Sequence, residues 1–231
     1  MDKFLLNYKF QEFLNKYSKL YDKDEINFIK NNFFDFVDVK NAPDILMQVY
    51  SYLGLLEDDL YMEHLKKIEN NFDIGKNILE VGCGFLPAFA NITARKQIRL
   101  KSGTITAIDP FLVINKSEYD NLILRKRKFK LDTNVKNFDL IVGIYPCEAT
   151  EMIIKSACEN KKGFYLAMCG CTHFTHSQIL QGYPINPESY QTYIFNLTET
   201  LLKKYNNGSL CIDKLGGHYK TLDYPILYNK K

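Results

Sequence analysis

The sequence predicts an α/β domain: a doubly wound, mainly parallel seven-stranded sheet with an antiparallel C-terminal hairpin, preceded by a helical N-terminal segment. Three observations predict it. Residues 1–72 carry helical periodicity, residues 73–231 alternate short apolar runs with amphipathic stretches, and the last two apolar runs flank Gly216 and Gly217. Such alternation is typical of parallel sheets with right-handed crossovers. We therefore divide the chain into a helical segment, 1–72, and an α/β domain, 73–231.

The helical segment is predicted from the spacing of its apolar residues. They recur at intervals of three and four over residues 4–17 and again over residues 26–37, which indicates two helices. Residues 44–56 and 58–70 predict two further short helices. The second of these has aspartates at its start and lysines near its end, an arrangement that the helix dipole favours.

The elements of the α/β domain follow from its apolar runs. Runs bounded by turn residues predict four buried strands, at residues 76–82, 103–109, 138–146 and 163–171. Helices are predicted at residues 87–98 and 148–161, and a helix or loop leading to a weak strand at residues 116–128. A long helix follows Asn186, which suits the N-cap, with Pro187 at its first position.

Charge and hydropathy exclude several classes of function. Thirty Lys and Arg against 27 Asp and Glu leave a formal charge of +3, too small to indicate a nucleic-acid partner. The basic run RKRKFK, residues 125–130, either meets phosphate or, in the favoured interpretation, is a solvated strand end or loop. The first residues lack the apolar core of a signal peptide, and no window approaches a membrane span. We expect a cytoplasmic protein without a membrane partner, whose six cysteines are unbridged thiols.

The main candidate site is the stretch NILEVGCGFLPAFA, residues 77–90. A short strand runs into Gly82 and Gly84, which permit backbone shapes that other residues resist, and a helix follows. Amides of such a turn and helix N-terminus face whatever lies beyond the strand end. The next strand ends in Asp109, where a carboxylate can accept hydrogen bonds from ribose hydroxyls. The pattern predicts a nucleotide-type site.

Glu80-Val-Gly82-Cys-Gly84 followed by Asp109 resembles motif I and the acidic residue after it in class I S-adenosylmethionine-dependent methyltransferases. It differs from the G-x-G-x-x-G of dinucleotide binders, which holds a pyrophosphate. The resemblance implies a Rossmann-like S-adenosylmethionine-binding domain in which the glycines approach the methionine part of the cofactor. It implies that Glu80 orients the turn or the amino group and that Asp109 binds the ribose. Further cofactor contacts are implied at Cys83, Phe85, Pro110, Gly143 and Tyr145.

The same resemblance places the transferred methyl near the end of the fourth strand, residues 138–151. Tyr145 and Glu148 are the candidate catalytic residues there, with Glu148 either a general base or, in the favoured interpretation, a carboxylate at a helix start. Cys147 is interpreted as a packing residue, because nothing local would activate its thiol as a nucleophile. We expect a small-molecule methyl acceptor. Two alternatives are aminocarboxypropyl transfer from the same cofactor, as in nicotianamine synthase, and non-catalytic nucleotide-type binding.

Four possible soft metal ligands follow the fifth strand in the run CGCTHFTH: Cys169, Cys171, His173 and His176. Their C-x-C-x-H-x-x-H spacing is not one of the usual zinc patterns. The favoured interpretation is a strand end of small residues with two histidines lining a pocket, and no metal is assigned. His64 and His218 are interpreted as surface residues.

Overall fold

The computed structural model describes residues 3–18, 22–34, 46, 49–50, 53, 60–170, 182, 186–215 and 224–230. Its α-helices are α1 (Lys3–Tyr17), α2 (Lys23–Asn32), α3 (Leu60–Glu69), α4 (Ala88–Leu100), α5 (Thr150–Glu159) and α6 (Pro187–Tyr205). Its strands are β1 (Asn77–Val81), β2 (Thr104–Ile108), β3 (Leu122–Arg125), β4 (Leu140–Ile144), β5 (Gly163–Ala167), β6 (Ser209–Asp213) and β7 (Ile226–Lys230). A short 3₁₀ turn, Cys147–Ala149, precedes α5.

The seven strands form one sheet in the order β3-β2-β1-β4-β5-β7-β6. Strands β1 to β5 pair in parallel, and β7 is antiparallel to both β5 and β6. The predicted fold class is therefore confirmed, including the antiparallel C-terminal strands. The order along the sheet reverses between β1 and β4, and open α/β sheets bind ligands at the carboxyl ends of the strands at such a point.

Both faces of the sheet are covered, which explains why its central strands read as continuous apolar runs. Every residue of β4 and β5 is buried. One core cluster joins one face of the sheet to helices α1 to α4, and the other joins the opposite face to α5 and α6. Burying each large aliphatic side chain contributes about 1.5–3 kcal/mol, so these faces fix the register of the strands.

Most of the predicted elements are confirmed where the structure describes them. The Asn186 side chain accepts a hydrogen bond from the amide of Ser189 at 2.8 Å, with Pro187 first in α6. Arg125 ends β3 and exposed residues 126–128 follow in a loop, as interpreted for the basic run. The predicted helix at 44–56 and the Gly216-Gly217 turn lie mostly or wholly outside the described residues.

The domain boundary at residue 72 falls between α3 and β1 and stays a prediction. Within the part of the chain described above, no helix combines the length and apolar character needed to cross a membrane.

Candidate functional site

The turn after β1 requires glycine for two reasons. Gly82 and Gly84 have φ angles of +75° and +71°, in the region that side-chain-bearing residues resist. A Cβ atom on Gly82 would also lie 2.8 Å from Cα of Pro146, which follows β4. The Gly82 amide donates to the carbonyl of Ile108 at 3.0 Å, so the pairing of β1 with β2 continues into the turn. The turn is therefore packed between the ends of β2 and β4.

Asp109 joins the ends of β1 and β2. One of its carboxylate oxygens accepts the Gly84 amide at 2.9 Å, and the other accepts the Phe111 amide at 2.7 Å. The Val113 amide donates to the Phe85 carbonyl at 3.1 Å, which is a second link between the loop after β1 and the loop after β2. Each carboxylate oxygen has more than one lone pair, so Asp109 keeps capacity to accept hydrogen bonds from a ligand. The structure thus brings together the two motifs that the sequence placed 25 residues apart.

Glu80 lies buried beneath this turn and caps the following helix. Its carboxylate accepts the amide of Ala90, in the first turn of α4, at 3.0 Å, whereas the N-cap residue Pro87 makes no side-chain cap. Burial raises the pKa of Glu80 to about 8; the nearby charge of Asp109 adds to the rise, and the Ala90 hydrogen bond opposes it. The Ala90 contact joins Glu80 to the start of α4, and both implied roles of Glu80 toward the cofactor stay predictions.

Two aromatic rings stand at the rim of the joined loops. Phe85 is 42% exposed and Phe111 64% exposed, and their ring centroids lie 6.1 Å apart. Exposed phenylalanines of this kind provide apolar surface for a ligand. Phe111 was not among the residues predicted from the sequence, although it lies two residues after Asp109. Cys83 is buried, and burial raises the pKa of its thiol, while Pro110 is exposed.

The exit of β4 adopts an uncommon backbone conformation. Tyr145 has a φ angle of +54° and Cys147 of +47°, values rarely found for residues with side chains. The Tyr145 amide donates to the Ala167 carbonyl of β5 at 2.9 Å. Gly143 has no room for a side chain, since a Cβ there would lie 2.6 Å from Ile153 of α5. Gly143 therefore serves the packing of the sheet against α5.

Tyr145 belongs to a cluster of aromatic rings on the face of the sheet that carries α3. Its ring lies 5.8 Å from His64 and 6.4 Å from Tyr224, between centroids. His64 is fully buried, and its Nδ1 lies 2.8 Å from the hydroxyl of Tyr165. Burial, with a smaller effect of Lys67, lowers the pKa of His64 to about 3.

The interpretation of His64 as a surface residue was wrong. It continues the apolar face of α3, four residues after buried Leu60 and four before buried Ile68, and that spacing was the available signal. His218 lies outside the described residues.

Glu148 lies in the 3₁₀ turn before α5, and 71% of its side chain is exposed. Its carboxylate is 3.0 Å from Nζ of Lys128, which belongs to the basic run. This position agrees with a carboxylate at a helix start, and the general-base role stays a hypothesis. An ion pair this exposed contributes at most about 1 kcal/mol to stability.

The cysteine and histidine run is described only in part. Cys169 lies beyond the end of β5, with its Sγ 3.8 Å from the Sγ of Cys147, whereas Cys171, His173 and His176 lie outside the described residues. Among the residues that are described, no three His, Cys, Asp or Glu side chains converge on a possible metal position. No local spacing in the sequence predicts the approach of Cys147 to Cys169.

Neither a protein-family model nor a curated protein matches the chain. Among solved structures, the chain is similar to the CMeT domain of the citrinin polyketide synthase, with 13% identity over 81% of this chain and 56% of that chain and a TM-score of 0.45. It is similar to precorrin-6y C5,15-methyltransferase from Geobacter metallireducens GS-15, with 13% identity, 77% and 90% coverage and a TM-score of 0.41. It is also similar to the plantazolicin methyltransferase BpumL in complex with SAH, with 12% identity, 98% and 100% coverage and a TM-score of 0.37.

Proposed function

We propose that this protein binds S-adenosylmethionine across the carboxyl ends of β1 and β2 and transfers its methyl group to a small-molecule acceptor. The observation that carries the proposal is the position of Glu80. Folds that bind dinucleotides hold a pyrophosphate at the N-terminus of the helix after β1. Here the Ala90 amide of that helix donates to the Glu80 carboxylate instead.

The charges around the turn support a cofactor without phosphate. Residues 82–94 and 109–115 contain no Lys or Arg that could neutralise one. Two carboxyl groups, Glu80 and Asp109, lie near each other beneath the turn, and the charge of Asp109 helps to raise the pKa of Glu80. A ligand that carries a sulfonium and an ammonium group would favour the ionised form of these carboxyl groups, whereas a pyrophosphate would disfavour it.

The residues present fit the parts of this cofactor. Asp109, 7% exposed and with lone pairs to spare, would accept the ribose hydroxyls. Phe85 and Phe111, whose rings are neighbours at the rim of the two loops, offer apolar surface suited to the adenine. The backbone of Gly82 and Gly84 would approach the methionine part, because no side chains stand in the way. Cys83, Pro110 and Gly143 are proposed to contribute through the positions of their backbone.

When bound, the cofactor supplies a methyl group made electrophilic by its sulfonium. The chain's own contribution is to position an acceptor beside it, and holding two reactants in line accounts for much of the rate of such a transfer. Tyr145 is the proposed acceptor-side residue, because it directly follows β4 beside the glycine turn and its ring packs against His64 and Tyr224. Its hydroxyl can orient the acceptor or take a hydrogen bond from it.

Calorimetry tests the binding proposal. We expect S-adenosylmethionine and S-adenosylhomocysteine to bind one site per chain, and NAD⁺, a matched adenosine ligand with a pyrophosphate, not to bind. Binding of NAD⁺ in preference to S-adenosylhomocysteine would contradict the assignment. Mass analysis of the modified acceptor then separates methyl transfer from aminocarboxypropyl transfer, and a protein that binds the cofactor but modifies no acceptor would support the non-catalytic alternative.

A further inference from the structure

Two cysteines meet at the exits of neighbouring strands, next to the proposed cofactor site. The pairing of β4 with β5 extends to the hydrogen bond between Tyr145 and Ala167, and Cys147 and Cys169 each lie two residues beyond it. Their Sγ atoms are 3.8 Å apart, and both residues are half-buried. Adjacent strands are about 4.8 Å apart, which suits the Cα separation of about 4.4–6.8 Å that a disulfide needs.

The pair is connected to the glycine turn through one residue. Pro146 precedes Cys147, and its Cα and Cβ occupy the space that a side chain on Gly82 would need, at 2.8 and 2.9 Å. A disulfide has an S–S length of about 2.05 Å, so bond formation must bring the two Sγ atoms closer, by rotation of the side chains or movement of the backbone. Because Tyr145 and Cys147 already adopt strained left-handed conformations, this segment has little freedom to absorb the movement.

We propose that Cys147 and Cys169 are a dithiol site that a small-molecule disulfide oxidises to an intramolecular disulfide, and that this bond weakens cofactor binding at the Gly82 turn. One thiolate attacks the reagent and releases one small thiol, and the second thiolate attacks the mixed disulfide and releases the other. The protein loses two protons and two electrons, and the reagent is reduced to two thiols. The effect on the cofactor rests on the proposed function, whereas the chemistry of the dithiol does not.

Other cysteines in the described residues provide matched controls. Cys158 is fully buried in α5, and burial raises the pKa of its thiol to about 11, so its reaction with disulfides is slow. Cys211 is half-buried in the edge strand β6 and so tests a thiol of similar exposure away from the site.

The experiment treats the full chain with oxidised glutathione and then maps the disulfide bonds of the unreduced protein by peptide mass analysis. We expect a Cys147–Cys169 crosslink that dithiothreitol removes, that Cys147→Ser and Cys169→Ser both abolish, and that Cys211→Ser leaves intact. A crosslink between other cysteines, glutathione adducts alone, or a stoichiometric zinc ion that protects the thiols would overturn the dithiol assignment. Cys147→Ala and Cys169→Ala serve in the same way where a serine variant fails to fold.

The second measurement is the affinity for S-adenosylhomocysteine in the reduced, oxidised and re-reduced protein. We expect oxidation to weaken binding about fivefold or more, as a modest coupling between two sites would, and reduction to restore it. The Cys147→Ser protein should show the same affinity before and after treatment. A crosslink that leaves the affinity unchanged would overturn the coupling, whereas a protein that forms the crosslink but never binds the ligand would refute the proposed function and leave the dithiol site standing.

Discussion

Replacing Gly82 by alanine tests whether the turn after β1 is built against Pro146. The substitution imposes two costs. A left-handed backbone costs a non-glycine residue about 1–2 kcal/mol. The new Cβ would also lie 2.8 Å from the Cα of Pro146, a backbone atom that cannot move aside as a flexible side chain could. Overpacking a core typically costs about 1–3 kcal/mol, so together with the backbone cost we expect Gly82→Ala to lower the free energy of unfolding by about 2–5 kcal/mol.

Gly182→Ala is the matched control, because it isolates the first cost. Gly182 has a φ angle of +86° but nothing within 4 Å of the position of a Cβ. It should therefore lose only about 1–2 kcal/mol. Chemical denaturation of both variants gives the comparison. In thermal unfolding, each kcal/mol corresponds to about 2–4 °C for a chain of this size.

Binding of S-adenosylhomocysteine to the folded fraction provides the functional measurement. Gly82→Ala should weaken it strongly, because the methyl group displaces the Pro146 contact or the turn itself, while Gly182→Ala should leave it unchanged. If the two variants are equally stable, the packing of Pro146 on Gly82 does not exist. If Gly82→Ala is destabilised and yet binds normally, the turn is structural and the cofactor lies elsewhere.

Three further predictions concern buried titratable groups. Asp109→Asn should weaken S-adenosylhomocysteine binding by about 1–3 kcal/mol in calorimetry, because the single oxygen of asparagine can accept only one of the Gly84 and Phe111 amides. Asp139→Asn, which alters a carboxylate at the opposite end of the sheet, should leave binding unchanged. Because the pKa of Glu80 is raised to about 8 in the folded protein, the free energy of unfolding of the wild type should fall as pH rises from 4.5 through 8, by up to about 1.4 kcal/mol per pH unit. Glu80→Gln should remove that slope. Equal slopes for the two proteins in chemical denaturation would contradict the raised pKa. Because the pKa of His64 is lowered to about 3, stability should fall as pH drops from 6.5 toward 3, and an unaltered acid profile in His64→Gln would exclude its buried neutral state.

Local patterns predicted most of the fold. The buried strands β1, β2, β4 and β5 show as short apolar runs, since both faces of the sheet are covered. The glycine turn and Asp109 were also visible, because each requires a particular residue type at a strand end. The third strand was only weakly indicated: it has four residues, and just one of them is buried.

The contacts that define the site depend on tertiary structure and could not be predicted from one sequence. Glu80 reaches the Ala90 amide only because α4 begins where it does, without a side-chain cap of its own. The approach of Cys147 to Cys169 depends on β4 lying beside β5, which follows from the strand order and from no local spacing. The partner of His64 is 101 residues away in the chain.

The most direct test of the proposed site is a crystal structure of the protein grown with S-adenosylhomocysteine. We expect density for the ligand over the Gly82–Gly84 backbone, with the ribose hydroxyls within hydrogen-bond distance of the Asp109 carboxylate and Glu80 still bound to the Ala90 amide. Ligand density at another edge of the sheet, or none at saturating concentration with the β1 and β2 ends unchanged, would contradict the assignment of both the cofactor and the reaction.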